Sequence, residues 1–274
     1  MAAASAECER INAVQKNAFA LVLAVGSRAI YLRDKLLGRI PRHTLPPEGL
    51  TLNRFRIVSG SNELDAVFAA PANERAQAAV LICHGIGEVV GQWLPVQQLL
   101  AERGVASLVF DYSGYGHSTG WSTPAQLEQD AITAYTSLSG LVAGPVSLLG
   151  FSLGTGVVPA ILDRVPARRI VLCASYTSFR AAARRLGMVA PLSGFVPPIW
   201  DAELPLRSNV RPVLLVHSTR DRLFPLSMAK ELASWCGESG QLRIVNGLRH
   251  NEPFYKATAE YWHPIADFLA GGEH

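Results

Sequence analysis

The sequence is poor in the features that mark a disulfide scaffold, a zinc domain or a nucleic-acid binder. Its four cysteines, Cys8, Cys83, Cys173 and Cys236, have neither CxxC spacing nor the density of a cross-linked secreted domain. Cys83 and Cys173 fall inside apolar runs, which suits small buried hydrophobes in a reducing compartment such as the cytoplasm. The seven histidines are scattered and none pairs at ligand spacing, so no metal site is implied. The 25 basic and 22 acidic residues leave a formal net charge of +3 with no basic stripe interleaved with aromatics, which excludes a nucleic-acid footprint. Internal repeats and low-complexity tracts are also absent.

No apolar run is long enough to cross a membrane. "NAFALVLAVGS", between Lys16 and Arg28, has eleven uncharged residues, against the roughly 20 that a spanning helix needs. A signal peptide is the less favoured reading of this segment. Ala18 to Val25 has a suitable length and Ala24-Val25-Gly26 resembles a cleavage site, but Glu7 and Glu9 beside Arg10 and Lys16 deny it the expected positive leader. Ile11, Val14, Ala18, Leu21 or Val22, Val25, Ala29, Leu32 and Leu36 recur at helical spacing. They describe an amphipathic helix suited to packing on the body or lying on a membrane surface. Pro41, Pro46 and Pro47 end it, so residues 1–48 read as an N-terminal appendage and 49–274 as the main domain.

What the chain does have is apolar content, 49% of 274 residues, enough for one large core. "LNRFRIVSG" and "ELDAVFAAP" alternate as an antiparallel hairpin would. Beyond them, short continuous apolar runs near 78–84, 105–111, 145–150, 169–174, 211–217 and 241–246 read as buried strands. Helical patterns near 92–103, 124–139, 153–164, 226–236 and 255–270 lie between and after them. This rhythm predicts an α/β fold with a mostly parallel central sheet covered by helices on both faces. One connection breaks the rhythm. About 35 residues, 176–210, separate two strands, far more than an ordinary loop, which predicts a short helical cap or lid.

Two segments fit G-x-S-x-G, the pattern of a serine on a tight strand-to-helix turn: "GHSTG" at 116–120 and "GFSLG" at 150–154. Ser152 follows the strand "PVSLLGF" directly and precedes a helical pattern, interrupted only later by Pro159, which should kink it. Ser118 instead lies in "SGYGHSTGW", and the next helix starts with Thr123 as a cap and Pro124 at its first position. Ser152 is therefore the candidate nucleophile.

A serine hydroxyl needs a base and a carboxylate to orient that base. In this kind of sheet they follow in chain order, each past a later strand. "VLLVHSTRDRLFP" supplies Asp221 and "LRIVNGLRHNEPF" supplies His250; Asp201 or Glu203 in the insertion remain alternative acids. A developing oxyanion would need donors, for which the backbone N–H groups of Leu153 and of Ile86 in "CHGIGE" are placed.

Together "HGIGE", "FDYSGYGHSTG", "GFSLG", "STRDRLFP" and "GLRHNEPF" occur in the order seen in the α/β-hydrolase superfamily, which residues 50–270 resemble. "DYSGYGHSTG" and the histidine followed by Asn251 are similar to its small-cap serine hydrolases, the lysophospholipase-like, serine aminopeptidase-like and protein-depalmitoylating branch. The resemblance implies Ser152 as nucleophile, Asp221 as acid, His250 as base, and Ile86 and Leu153 as oxyanion donors. A serine at the elbow argues against dehalogenase or epoxide hydrolase chemistry, which uses aspartate there. The expected activity is hydrolysis of a carboxylic ester or thioester in a small or lipid-like acyl substrate, without a cofactor. Met188, Phe195 and Trp200 of the insertion are candidates to line an acyl pocket, or simply to pack a cap. Amidase, peptidase or perhydrolase activity on the same triad, or a catalytically silent binding protein, are the alternatives.

Overall fold

The computed structural model describes residues 26–36, 48–185 and 199–271. Strands β1 (Leu50–Ser59) and β2 (Asn62–Pro71) form the expected antiparallel hairpin, turning at Gly60 with a positive φ of 61°. Six further strands follow: β3 (Ala78–Cys83), β4 (Val105–Phe110), β5 (Val146–Phe151), β6 (Ile170–Cys173), β7 (Val213–Ser218) and β8 (Gly240–Val245). They join one eight-stranded sheet in the order β1-β2-β4-β3-β5-β6-β7-β8. β2 pairs with β4 antiparallel, and every pairing from β4 through β8 is parallel.

The interior strands are buried on both faces, which is why their sequences read as continuous apolar runs. Alternate residues feed two cores. Leu81, Leu108, Leu148, Leu172 and Leu215 point to one. There they meet helices α3 (Pro124–Leu141), α4 (Gly154–Ala160) and α7 (Leu226–Cys236). Val80, Ile82, Val109, Leu149 and Val216 point to the other, under α2 (Leu94–Ala101) and α9 (Ala259–Ala270), where Trp93, Trp262 and Phe268 are almost completely enclosed.

Local chemistry fixes the helix ends. Thr123 caps α3 as expected, its side chain accepting from Gln126 N at 3.1 Å, with Pro124 opening the helix. α4 is shorter than its pattern predicts. After Pro159, which has no N–H to give, the chain tightens into i to i−3 bonds, Ile161 N to Val158 O and Leu162 N to Pro159 O, and the helix ends at Ala160. The last helix starts later than expected: a short α8 (Glu252–Tyr255) precedes it, and the extended backbone at Thr258 separates the two. In the long β6–β7 connection, α5 (Phe179–Arg185) and α6 (Glu203–Arg207) confirm helical content. Met188 and Phe195 lie outside the described residues, as do residues 1–25 of the N-terminal segment and its prolines. Residues 26–36 form helix α1. Among the described residues no helix is long and apolar enough to cross a membrane.

Two glycines let α4 sit tightly on the sheet. A Cβ on Gly154 would overlap the carbonyl of Cys83 on β3, and one on Gly150 would press on the backbone of Gly154. Gly154→Ala is therefore expected to destabilise the fold by about 1–3 kcal/mol through overpacking, measured by urea denaturation. An unchanged midpoint would mean that α4 can move off β3 freely.

Candidate active site

β5, β7 and β8 run parallel, so their carboxyl ends open on the same edge of the sheet. Ser152 is the first residue past β5. Its φ of 49° is left-handed, one of three such values among the described non-glycine residues, and α4 begins two residues later. The turn is tied down on both sides: Ser152 N donates to Cys173 O at 3.0 Å, and Ser152 O accepts from Thr155 N at 2.9 Å and Thr155 Oγ1 at 2.7 Å.

Asp221 lies in the turn after β7 and His250 in the turn after β8. His250 Nδ1 donates to Asp221 Oδ2 at 2.7 Å, leaving Nε2 to accept from Ser152 Oγ at 2.8 Å. The other carboxylate oxygen, Asp221 Oδ1, accepts from Leu223 N and Phe224 N, each at 2.9 Å. Burial works to raise the pKa of Asp221, and the hydrogen bonds from His250 and the Phe224 backbone overcome it, so the carboxyl stays below its ordinary range and charged at neutral pH. Asp201 and Glu203 are occupied elsewhere: Asp201 accepts from Glu203 N, and Glu203 pairs with Arg207.

Several residues that carry no motif hold the imidazole in place. Phe224 presents an edge to the His250 ring with centroids 5.1 Å apart. Ser218 joins the two loops by donating to Leu248 O and accepting from Leu248 N. Glu252 accepts from Arg249 N at 2.7 Å, closing the turn that carries His250. A hydroxyl next to a strand and a carboxylate two residues after a histidine are too common in sequences to have signalled these roles.

Leu153 follows the serine directly, and Ile86 lies three residues past the end of β3, the strand that pairs with β5. Among the described residues neither backbone N–H is engaged by another group. The Ile86 segment is braced by Glu88, which is buried and whose Oε2 accepts from Gly85 N at 2.8 Å and Trp93 Nε1 at 3.1 Å. Ser118 has a different task. Its Oγ donates to Asp111 O at 2.7 Å and accepts from Asp65 N at 2.9 Å, stapling the glycine-rich loop to β2.

Trp200 packs in the main core, only 5% exposed, with Nε1 donating to Glu128 Oε1 at 3.0 Å and its ring edge-on to Phe179. Among the described residues no cluster of His, Cys, Asp or Glu is arranged to hold a metal ion.

Glu88 makes the stability depend on pH. Burial pushes its carboxyl up to about 8, against the opposing pull of the Gly85 and Trp93 donors. Between its ordinary value of 4.5 and about 8 the native state keeps a proton that the unfolded chain has released, so this contribution to stability is present below 4.5 and is lost as pH rises to about 8. Glu88→Gln keeps an acceptor for both N–H groups and has no proton to lose. Urea melts are expected to show the variant gaining on the wild type steadily across that window; a difference that does not vary with pH would mean that the native carboxyl is ionised.

A family model described as serine aminopeptidase, S33, matches residues 74–200, somewhat under half of the chain. The lysophosphatidylserine lipase ABHD12 of Danio rerio is 26% identical over 258 residues, covering 82% of this chain and 68% of that protein. An uncharacterized protein of Mycobacterium tuberculosis is 26% identical over 178 residues, which cover 64% of this chain and 63% of the relative's length. Among solved structures, the esterase Pf2001 of Pyrococcus furiosus superposes with a TM-score of 0.69 at 18% identity, over 84% of this chain and 96% of that one. The sheet order, the serine turn past β5 and these likenesses agree on one architecture: the chain has the α/β-hydrolase fold.

Proposed function

We propose that the protein is a serine hydrolase that cleaves a carboxylic ester or thioester through an acyl-enzyme intermediate. The observation that carries this reading is the continuous chain of hydrogen bonds Ser152 Oγ, His250, Asp221, at 2.8 and 2.7 Å. In the proposed mechanism His250 Nε2 takes the Ser152 proton as Oγ attacks the acyl carbonyl. The Leu153 and Ile86 N–H groups stabilise the oxyanion, each donor contributing a few kcal/mol to lowering the barrier. His250 then returns the proton to the leaving alcohol or thiol, and the bond from acyl carbon to leaving group breaks. Water, deprotonated by the same imidazole, releases the acid and restores the serine. Asp221 stays ionised throughout; it fixes the tautomer and stabilises the imidazolium.

The name of the Danio rerio relative, a lipase of a lysophospholipid, favours a lipid-like acyl donor. The S33 aminopeptidase description of the family model favours an amide as the second reading. A filled triad weighs against a silent binding protein, since a lost activity leaves no reason to hold an imidazole between a serine and a carboxylate.

A fluorophosphonate probe is expected to label the wild type and not Ser152→Ala; equal labelling of both would remove Ser152 from the chemistry. p-Nitrophenyl esters of increasing acyl length are expected to be turned over, with kcat/KM rising toward longer chains. Turnover of aminoacyl p-nitroanilides with none of the esters would select the amide reading. Asp221→Asn is expected to lower kcat about 10³- to 10⁴-fold with the fold retained, because an amide in place of the carboxylate stabilises the wrong tautomer. A loss under tenfold would mean that another group orients the imidazole.

A further inference from the structure

Helix α1 lies across the two loops on which the proposed hydrolysis depends, and one side chain ties it to both. The Asp34 carboxylate is fully enclosed. Its Oδ2 accepts from the Tyr255 hydroxyl and, at 3.3 Å, from Gln92 Nε2, while Oδ1 accepts from Arg33 Nε and Nη2 at 3.1 and 3.0 Å. Tyr255 is the last residue of α8, the helix that starts two residues after His250. Gln92 lies in the 3-10 turn Val90–Trp93 that follows the Ile86 loop, and its Oε1 accepts from Val89 N at 3.0 Å. One carboxylate thus reaches both the histidine side and the oxyanion side of the site.

Packing adds to the grip. The Ile86 side chain reaches over Gly26 of α1, where a Cβ, if there were one, would meet it at 3.5 Å, an ordinary packing distance. Gly87, at a φ of 73°, lies directly beneath Ile30, with no room there for a Cβ. The segment that carries the Ile86 N–H is therefore held between α1 on one side and the Glu88–Trp93 brace on the other.

Stability alone is a poor reason for a charge in this place. Apolar side chains would hold a helix against a body at least as well, because enclosing a carboxylate has a desolvation cost that its partners only offset. What charge-assisted hydrogen bonds add is direction. Burial works to raise the Asp34 pKa, and the bonds from Tyr255, Arg33 and Gln92 prevail, keeping the group ionised.

We infer that Asp34 is a positioning residue, which from helix α1 clasps the oxyanion loop and the histidine loop in a single register. The inference rests on the serine hydrolase reading above. It makes α1 a working part of the site, acting through the geometry of Ile86 and His250 and touching no reacting atom.

The test uses the full chain with Asp34→Ala, Asp34→Asn and Tyr255→Phe, and Ser152→Ala as control. Active sites are counted by fluorophosphonate titration, so that rates are per reactive serine and misfolded molecules drop out. With a p-nitrophenyl ester, Asp34→Ala is expected to lower kcat per titrated site about 10- to 100-fold, the scale of a small misplacement of catalytic groups, with KM within about twofold. An aliphatic trifluoromethyl ketone, which mimics the tetrahedral intermediate, should bind more weakly by the same factor as kcat falls. Asp34→Asn, which keeps an acceptor for Tyr255, should recover part of the loss. Tyr255→Phe, which removes one hydroxyl and spares the carboxylate, should lose an intermediate amount and keeps the test decisive if Asp34→Ala does not fold. Unchanged kcat per titrated site in the soluble variants, with only the titratable fraction or the melting temperature reduced, would overturn the clasp and leave Asp34 a stabilising residue. An active Ser152→Ala would instead overturn the hydrolase reading itself.

Discussion

The site depends on one unfavourable backbone angle. Holding a serine at a φ of 49° costs about 1–2 kcal/mol relative to ordinary backbone, and the fold tolerates it because the residues around it leave the chain no other course. Cys173 O fixes the amide before the turn, Thr155 fixes the carbonyl after it, and α4 is pressed on β3 and β5 through glycines that have no side chain to lift it. The strain also has a use. A left-handed residue between a strand and a helix turns its side chain out over the sheet edge, while the next N–H, that of Leu153, opens a helix and faces the same space. The hydroxyl and the donor proposed for the oxyanion are thus set by one turn.

Strand order does the rest of the assembly. β6 stands between β5 and β7, so the ends of those two strands are about 10 Å apart at ordinary sheet spacing. That gap is too wide for a serine to reach a carboxylate and suits an imidazole with a hydrogen bond at each end. The loop after β8, the edge strand, folds back over β7 to fill it, anchored by Ser218 and by Thr219 N to Val245 O at 2.9 Å. The three-residue relay follows from a parallel run, β5 to β8, in which neighbours are consecutive in the chain.

Elements buried by periodic apolar residues were legible in the sequence, because burial on both faces writes itself as continuous runs and helical capping as Thr123-Pro124. The strand-end rule likewise separated Ser152 from Ser118, whose motif is spent on stapling a loop. The failures are of another kind. The apolar spacing continued past Pro159 and suggested a longer α4, because periodicity records which face is buried and is blind to a missing N–H. Asp34 and Glu88 left no signal: their partners lie far off in the chain, as Tyr255 does for Asp34, or share a segment in which any polar residue would read as a turn. Asp34 stands among Arg33 and Lys35 and looks like one more charge on a solvated face. Buried polar contacts between distant segments obey no spacing, so only the fold reveals them.

The geometry also distinguishes the two histidines that stand beside Asp221, of which only His250 is bonded to Ser152. His217 lies on β7 with Nε2 3.8 Å from Asp221 Oδ2, near enough to compete for the carboxylate. Its Nδ1 accepts from Ser175 N at 3.3 Å, which requires that nitrogen to be unprotonated, and its Nε2 then donates to Phe224 O at 2.8 Å. Both ring nitrogens are committed to backbone. Burial lowers the pKa of His217, outweighing the Phe224 carbonyl and the nearby carboxylate, so the ring stays neutral. A proton added at Nδ1 would face the Ser175 N–H with no acceptor. The negative charge of Asp221 is therefore left for His250, the ring that keeps one nitrogen turned toward Ser152. Phe224 links the two arrangements, since its carbonyl accepts from His217 Nε2, its N–H helps to hold Asp221 ionised and its ring packs edge-on to His250.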